Sequence, residues 1–376
     1  MDCVQYRRAH RALRWTMTGA ICISVLFHFN ATISAQELTA QAVVDSIDRG
    51  REFLVKQQNE DGSWPTRGGS HVVGVSCLAL MAIINSGMTA EDEPVQRGLK
   101  YLRSLRPPEP RGTYQTGLMI MALAAAKDGK RDHTLIQSLV LQLENSQVKT
   151  GPDAGGWGYG PGMAIGGGGS ADRSNSQYAV LALRDAVHAG VPVSISTWKL
   201  IKQYWSTQQS ADGGWGYQSK VGASRGSMTV VGIATMVIVN SMLGDELEIN
   251  PDGTPNCCVN QDDDESIERA IRWMAEHFSV GSNPGVNSWL LYYLYGLERA
   301  GRLSGTRFFG KHDWYREGAA FLTERQSVRD GSWKGAGQES DPVLGTSFVL
   351  LFLSKGLAPV LINKLEYNSD AQANQK

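Results

Sequence analysis

Six apolar stretches of this chain are each entered through side chains that can move a proton or grip a polar group. The entries read Ser70-His71, Tyr114-Gln115, Asp172-Arg173-Ser174-Asn175-Ser176-Gln177, Ser224-Arg225, Asn287-Ser288-Trp289 and Asp341. His71 is the histidine among them, and an imidazole can take and give a proton near neutrality. Asp172 and Asp341 are the carboxyl groups available as its acid partners. Tyr114, Gln115, Asn175, Gln177 and Asn287 offer hydroxyl and amide groups for orienting a ligand. Arg173 and Arg225 offer two charges suited to an anion. Trp289, Tyr292 and Tyr293 place π faces on one stretch, where they could hold an apolar chain or stabilise a carbocation. Each of these also has an ordinary reading. Ser, Asp and Asn before a helix cap its free amides, and aromatic side chains fill helix cores.

The cysteines carry less. Cys77 lies inside an apolar run and reads as core, while Cys257-Cys258 form a loop pair open to three readings: a vicinal disulfide, a metal pair or two plain thiols. The run Asp262-Asp263-Asp264-Glu265 precedes an amphipathic stretch and fits an acidic first turn favoured by the helix dipole. No metal site and no cofactor are expected. A formal charge of −1 over 376 residues, with no basic stripe, excludes an electrostatic nucleic-acid binder. The partner expected is a small lipid or glycan. At the N-terminus, Arg7 to Arg14, the apolar Thr16 to Phe29 and the small residues Ile33-Ser34-Ala35 read as an export signal over 1–35. The protein is then expected in the periplasm or outside the cell, at a membrane only if the signal stays uncleaved.

Positioning these groups falls to a repeated pair of helices. One type is amphipathic: Val43–Gln58, Val95–Leu105, Leu135–Gln147, Trp198–Gln209, Ile267–Phe278 and Trp314–Gln326. The other is apolar nearly all round: Val72–Asn85, Thr116–Ala126, Gln177–Ala189, Met228–Met242, Ser288–Ala300 and Thr346–Lys355. Glycines at or just beyond the second type (Gly87, Gly129, Gly190, Gly244, Gly301, Gly356) suit left-handed C-terminal caps. Between the two types one spelling recurs. Gln57, Gln208 and Gln326 each stand seven positions before Trp64, Trp215 and Trp333, with Asp-Gly between, and Gln147 reaches Trp157 through a longer linker. Such self-similarity marks stacked units that bury a common core. The last apolar stretch is as greasy as the middle ones, so it lacks the polar cap an open array would need. The fold expected is all-α: an α/α toroid of about six hairpins over 40–364, with a polar tail over 365–376.

The Gln, polar linker, Asp-Gly-Ser/Gly-Trp spelling resembles the QW motif of the terpenoid-cyclase and protein-prenyltransferase superfamily, the prenyltransferase and squalene oxidase repeats. The resemblance runs from about Val43 to Leu361. It implies that the apolar helices line a central cavity, that their starts surround one mouth, and that the Gln and Trp residues are structural. It does not carry the family's chemistry across. Squalene-type cyclases place Asp-x-Asp-Asp before a buried helix, whereas Asp262–Glu265 precedes an outer one. The zinc set of prenyltransferases would need Asp252, Cys257 or Cys258, and His312, none of them at a buried helix start. Three readings stay open: a toroid binding or processing an isoprenoid or other lipid, a carbohydrate-active toroid or polysaccharide binder, and a non-enzymatic helical scaffold.

Overall fold

The computed structural model describes residues 38–67, 71–106, 110–160, 170–218, 223–244 and 261–367, and the side chains of the last stretch over 265–356. The 1–35 segment, Ser70, Asp252, Cys257-Cys258, the Gly166–Gly169 run, the 262–264 side chains and the tail from 368 lie outside what is described. Twelve α-helices appear among the described residues. The outer set is α1 (Ala40–Gln57), α3 (Glu93–Ser104), α5 (Gly129–Ser146), α7 (Ile195–Thr207), α9 (Gln261–His277) and α11 (Trp314–Glu324). The inner set is α2 (Val72–Asn85), α4 (Gly112–Ala125), α6 (Arg173–His188), α8 (Gly226–Gly244), α10 (Leu290–Leu303) and α12 (Pro342–Tyr367). A two-residue hairpin, β1 (Phe308–Phe309) with β2 (His312–Asp313), separates α10 from α11.

Each inner helix packs on the next in the order α2, α4, α6, α8, α10, α12, and α12 packs back onto α2. The ring closes. Outside it, α1 meets both α11 and α12, so the first hairpin completes the last. The inner helices need apolar surface on every side because each touches two ring neighbours and at least one outer helix. α8 is long and apolar enough to cross a bilayer, but 72% of that window is buried inside the ring, as expected of a core helix. α12 runs to Tyr367, into the stretch expected as tail.

The repeated tryptophans rivet the hairpins in one way four times. Nε1 of Trp64, Trp157, Trp215 and Trp333 donates to the carbonyls of Leu54, Leu143, Trp205 and Leu322, near the ends of outer helices. Their backbone amides donate to the hydroxyls of Ser76, Ser176, Thr229 and Thr346 on the following inner helices. All four rings are buried. The orphan carbonyls of each outer helix thus find a partner where water is excluded.

The glutamines differ from the sequence reading in phase. Gln57 is exposed, and Gln208 makes one exposed contact to the Pro152 carbonyl. The working residues are their neighbours Gln58 and Gln209, with Gln147 and Gln326. Each side-chain amide donates to the carbonyl of a linker glycine and to a carbonyl of the next outer helix: Pro94, Ser266, Thr197 and Ser46 respectively. Arg97, Arg269 and Arg49 of that next helix donate back to the oxygens of Gln58, Gln209 and Gln326. For Gln326 the next outer helix is α1, so the pair with Ser46 and Arg49 bolts the end of the chain to its beginning. Linker glycines permit the approach. A Cβ on Gly155 would collide with the Leu200 carbonyl, and its φ of +99° is one that other residues adopt only with strain.

The expected left-handed caps hold at Gly87 and Gly190, with φ of +111° and +83°. Gly301 and Gly356 serve otherwise. They let the Trp314 and Tyr315 rings of α11 lie directly against α10 and α12.

Candidate functional site

The starts of the inner helices meet at one end of the ring, and their free amides are capped partly by local side chains and partly by partners from elsewhere in the chain. Asp172 caps α6 through the Asn175 amide at 2.8 Å. Asn283 caps α8 through the Ser227 amide at 2.8 Å. Glu339, in the 3-10 turn Gly337–Ser340, caps α10 through the amides of Leu291 at 3.2 Å and Tyr292 at 2.7 Å. Asp341 takes the Val343 and Leu344 amides of α12 and also the Arg67 amide at 2.8 Å, tying the last repeat to the first. Gln115 accepts from the Arg111 amide before α4. These bonds engage the carboxylate of Asp341 and the amide oxygen of Gln115 in structure.

Two cap positions are strained instead. His71 before α2 and Trp289 before α10 lie in the left-handed region, with φ of 65° and 60°, and neither side chain caps its helix. Lys127 is the other non-glycine residue there among the described ones. The conformation costs about 1 kcal/mol or more per residue and marks positions where something besides helix stability is being set. Both side chains are exposed, Trp289 at 39%. Because Trp289 takes the cap position, Asn287 falls outside the helix it was expected to start, and is exposed.

Inside this rim lies a connected set of phenols. Tyr114 meets Tyr159 and Tyr178 at ring-centroid distances of 5.6 and 5.2 Å. Tyr178 stacks on Tyr292 at 6.3 Å, and Tyr292 touches Trp289 and Phe348 edge-on at 6.4 and 6.0 Å. The Tyr159 and Tyr217 hydroxyls are 3.0 Å apart, and Arg225 lies 5.9 Å above the Tyr217 ring. Ser174 bonds the Tyr292 hydroxyl at 2.8 Å, Gln177 donates to the same hydroxyl, and Arg299 donates to Gln177 at 3.2 Å. Tyr114, Tyr159, Tyr217 and Arg225 are half-buried, whereas Tyr178, Tyr292 and Phe348 are buried beneath them. The phenol pKa values of Tyr114, Tyr178, Tyr217 and Tyr292 are all raised, first by burial, so these rings act as neutral hydroxyl donors and π faces.

Asp172 is the acid of this cluster. It is 2% exposed, and both its oxygens are bonded by Asn175. Burial raises its pKa above the ordinary aspartate value, against the opposing bonds from Asn175 and Tyr217. Glu339 is fully buried and pushed up to about 7 for the same reason, although the helix amides oppose the shift.

The structure therefore brings together Asp172, Asn175, Gln177, Tyr114, Tyr292, Trp289 and, at the edge, Arg225. Others turn away. Arg173 is 1% exposed and donates to the Gly216 and Gln208 carbonyls, its charge spent on a hairpin joint. Tyr293 is fully buried against Gly226 at the start of α8, so its neighbour Tyr292 is the one facing the cluster. His312 is paired with Glu317 beside the β-hairpin. No group of three or more His, Cys, Asp or Glu able to hold a metal ion occurs among the described residues.

Sequence reasoning missed Tyr159, Tyr178, Tyr217, Phe348, Glu339 and Arg299. A signal existed for two of them. Trp-Gly-Tyr occurs at Trp157-Gly158-Tyr159 and again at Trp215-Gly216-Tyr217, and the phase within the repeat puts both phenols at the same end of the ring. The residues opening the buried helix α6 are Asp172-Arg173-Ser174-Asn175, which hold one carboxyl group at the first position and hydroxyl and amide groups at the third and fourth.

No family model matches the chain. Squalene–hopene cyclase of Alicyclobacillus acidocaldarius is 30% identical over 81 residues, a match covering 20% of this chain and 13% of that enzyme. Among solved structures, the type II terpene cyclase MstE from Scytonema, in complex with merosterolic acid A, superposes with a TM-score of 0.55 at 14% identity, covering 85% of this chain and 98% of its own. Protein geranylgeranyltransferase-I of Candida albicans, complexed with GGPP, gives 0.54 at 15% identity, covering 85% and 92%. A possible GH105-family protein of Salmonella enterica gives 0.53 at 11% identity, covering 92% and 100%. At such identities the likeness is one of fold. The closed ring of six inner and six outer helices among the described residues, riveted by its Gln and Trp residues, is an α/α toroid, the fold it shares with these terpene cyclase and protein geranylgeranyltransferase structures.

Proposed function

We propose that the phenol-lined mouth of the ring binds an isoprenoid or similarly elongated lipid, and that it does so after export. The observation that carries this reading is the patch of half-buried Tyr114, Tyr159 and Tyr217 and exposed Trp289 over buried Tyr178 and Tyr292, with Asp172 beneath it. Neutral π faces suit an unsaturated hydrocarbon chain, which offers no strong hydrogen-bond partner. Asp172 keeps its proton to higher pH than an ordinary aspartic acid. When protonated it can donate to a polar group of the ligand. The cyclase and the transferase of this fold whose structures hold merosterolic acid A and GGPP support the ligand class by analogy.

Titrating the full chain with farnesol and geranylgeraniol, and separately with a neutral oligosaccharide panel, tests the proposal. Saturable quenching of tryptophan fluorescence by the isoprenols is expected, with loss of most of the signal in Trp289→Phe. Tyr114→Ala should weaken binding about tenfold. Binding of an oligosaccharide without binding of either isoprenol would sink the reading. Export is checked by whether the purified secreted protein begins near Gln36.

A further inference from the structure

A second concentration of charge lies further along the inner helices than the phenols of the mouth, joined to them through Arg299 and Gln177. It is built from Arg184 and Asp185 late in α6, Glu298, Arg299 and Arg302 late in α10, and Lys355 midway along α12. Arg299 is the innermost. It is 4% exposed, its guanidinium lies 3.5 Å from the centroid of the Tyr295 ring, and one nitrogen donates to Gln177. Among the described residues its Nε and Nη1 have no hydrogen-bond partner, and no described carboxylate forms an ion pair with it. A guanidinium has five N–H donors and cannot shed its charge, so leaving it buried and unpaired is costly.

The neighbours do not supply the missing charge. Glu298 is engaged by Arg302 at 2.8 Å, and its second oxygen is itself without a partner. Asp185 sits among Lys355, Arg184, His188 and Arg302, and pairs with Arg184 at 3.2 Å. Lys355 lies within electrostatic reach of Glu298, Asp185, Arg302 and Arg299. Four permanently or ordinarily cationic groups thus share two carboxylates. At the rim the side chains of Arg184, Asp185 and Arg302 reach solvent, at 21%, 26% and 32% exposed.

We propose that this cluster is an oxyanion site, in which a phosphate- or carboxylate-sized anion completes the bonding of Arg299. The planar Nε and Nη1 donors match two oxygens of one such group, and Lys355 and Arg302 add charge at the rim. Burial holds the Lys355 pKa below its ordinary value, with a smaller contribution from Arg302 and Arg299, despite two nearby carboxylates. The proposal does not rest on the lipid reading, although Gln177 joins Arg299 to the Tyr292 hydroxyl of the mouth.

Calorimetric titration of the full chain with inorganic phosphate and with malonate, in a chloride buffer of constant ionic strength, tests it. Saturable binding of at least one anion is expected, with a rise in Tm on adding it; the two arms separate a phosphate from a carboxylate preference. Arg299→Met should abolish both effects, and its Tm in chloride should equal or exceed that of the parent, because an uncompensated buried charge is removed. Lys355→Gln, half-buried at the rim, should weaken binding about tenfold. Absence of saturable binding by either anion, an unchanged anion-induced Tm shift in Arg299→Met, or unchanged affinity in Lys355→Gln would each overturn the proposal.

Discussion

Trp333→Ala is expected to lower the unfolding free energy by about 4 kcal/mol, read as an earlier midpoint in urea. The ring of Trp333 is 2% exposed and sits where the last hairpin meets the first. A Cβ on Gly50 of α1 would lie 2.6 Å from it, which shows how closely the indole lies on that helix. Truncation leaves a cavity of indole size and strands the Leu322 carbonyl, which now accepts Nε1 at 2.7 Å. Gln326→Ala should cost about 2 kcal/mol, since it removes the bonds to Ser46 and Gly331 and the partner of Arg49. The paired glutamines give an internal control. Gln58→Ala and Gln209→Ala should each cost about 1–3 kcal/mol, whereas Gln57→Ala and Gln208→Ala should stay within about 0.5 kcal/mol. Equal costs within either pair, or a loss below about 1 kcal/mol for Trp333→Ala, would contradict the joint geometry.

The glutamine offset shows where sequence reading reached its limit. Helical period and the recurring Trp were enough to count six hairpins and to close them, because burial on all sides leaves a compositional mark on every inner helix. They could not choose between Gln57 and Gln58. Both stand at the end of α1, and the choice depends on where α3 comes to rest. Asp172 and Asn175 were legible as part of the site because their bonds are local, three residues apart. The rest depends on distant pairings. Glu339 reaches α10 across 47 and 48 residues, Ser174 reaches Tyr292 across 118, and Arg299 reaches Gln177 across 122. No periodicity encodes such contacts. Asp341 shows the converse: the residue type was read as a catalytic candidate, and the fold gives its carboxylate the amides of both the last and the first repeat.

Stability should fall by about 3 kcal/mol as pH rises from about 4.5 to about 7, and Glu339 is the group responsible. Its folded pKa of about 7 lies above the ordinary 4.5, so the unfolded chain releases this proton first. Over that window the folded state binds more protons than the unfolded one, and each rise in pH favours unfolding; above about 7 both states are ionised and the slope ends. Asp172 and Asp185, also raised by burial, act in the same direction. Asp212 and Glu144, held below their ordinary values, act in the opposite direction and only at lower pH, so they leave this window clear. Urea unfolding at pH 5, 6, 7 and 8 measures the slope. In Glu339→Gln most of it should vanish, leaving the residue from Asp172 and Asp185. That variant should also lose about 1–2 kcal/mol at pH 5, because its amide group turns a donor toward the Leu291 or Tyr292 amide. A parent protein whose stability is flat or rising between pH 5 and 7, or a Gln variant that keeps the full slope, would show that Glu339 is ionised in the fold. The consequence reaches the mouth, since the amides Glu339 holds are those that fix Tyr292 and follow the strained Trp289. Isoprenol affinity measured across the same pH range should therefore change with a midpoint near 7 in the parent and lose that midpoint in Glu339→Gln.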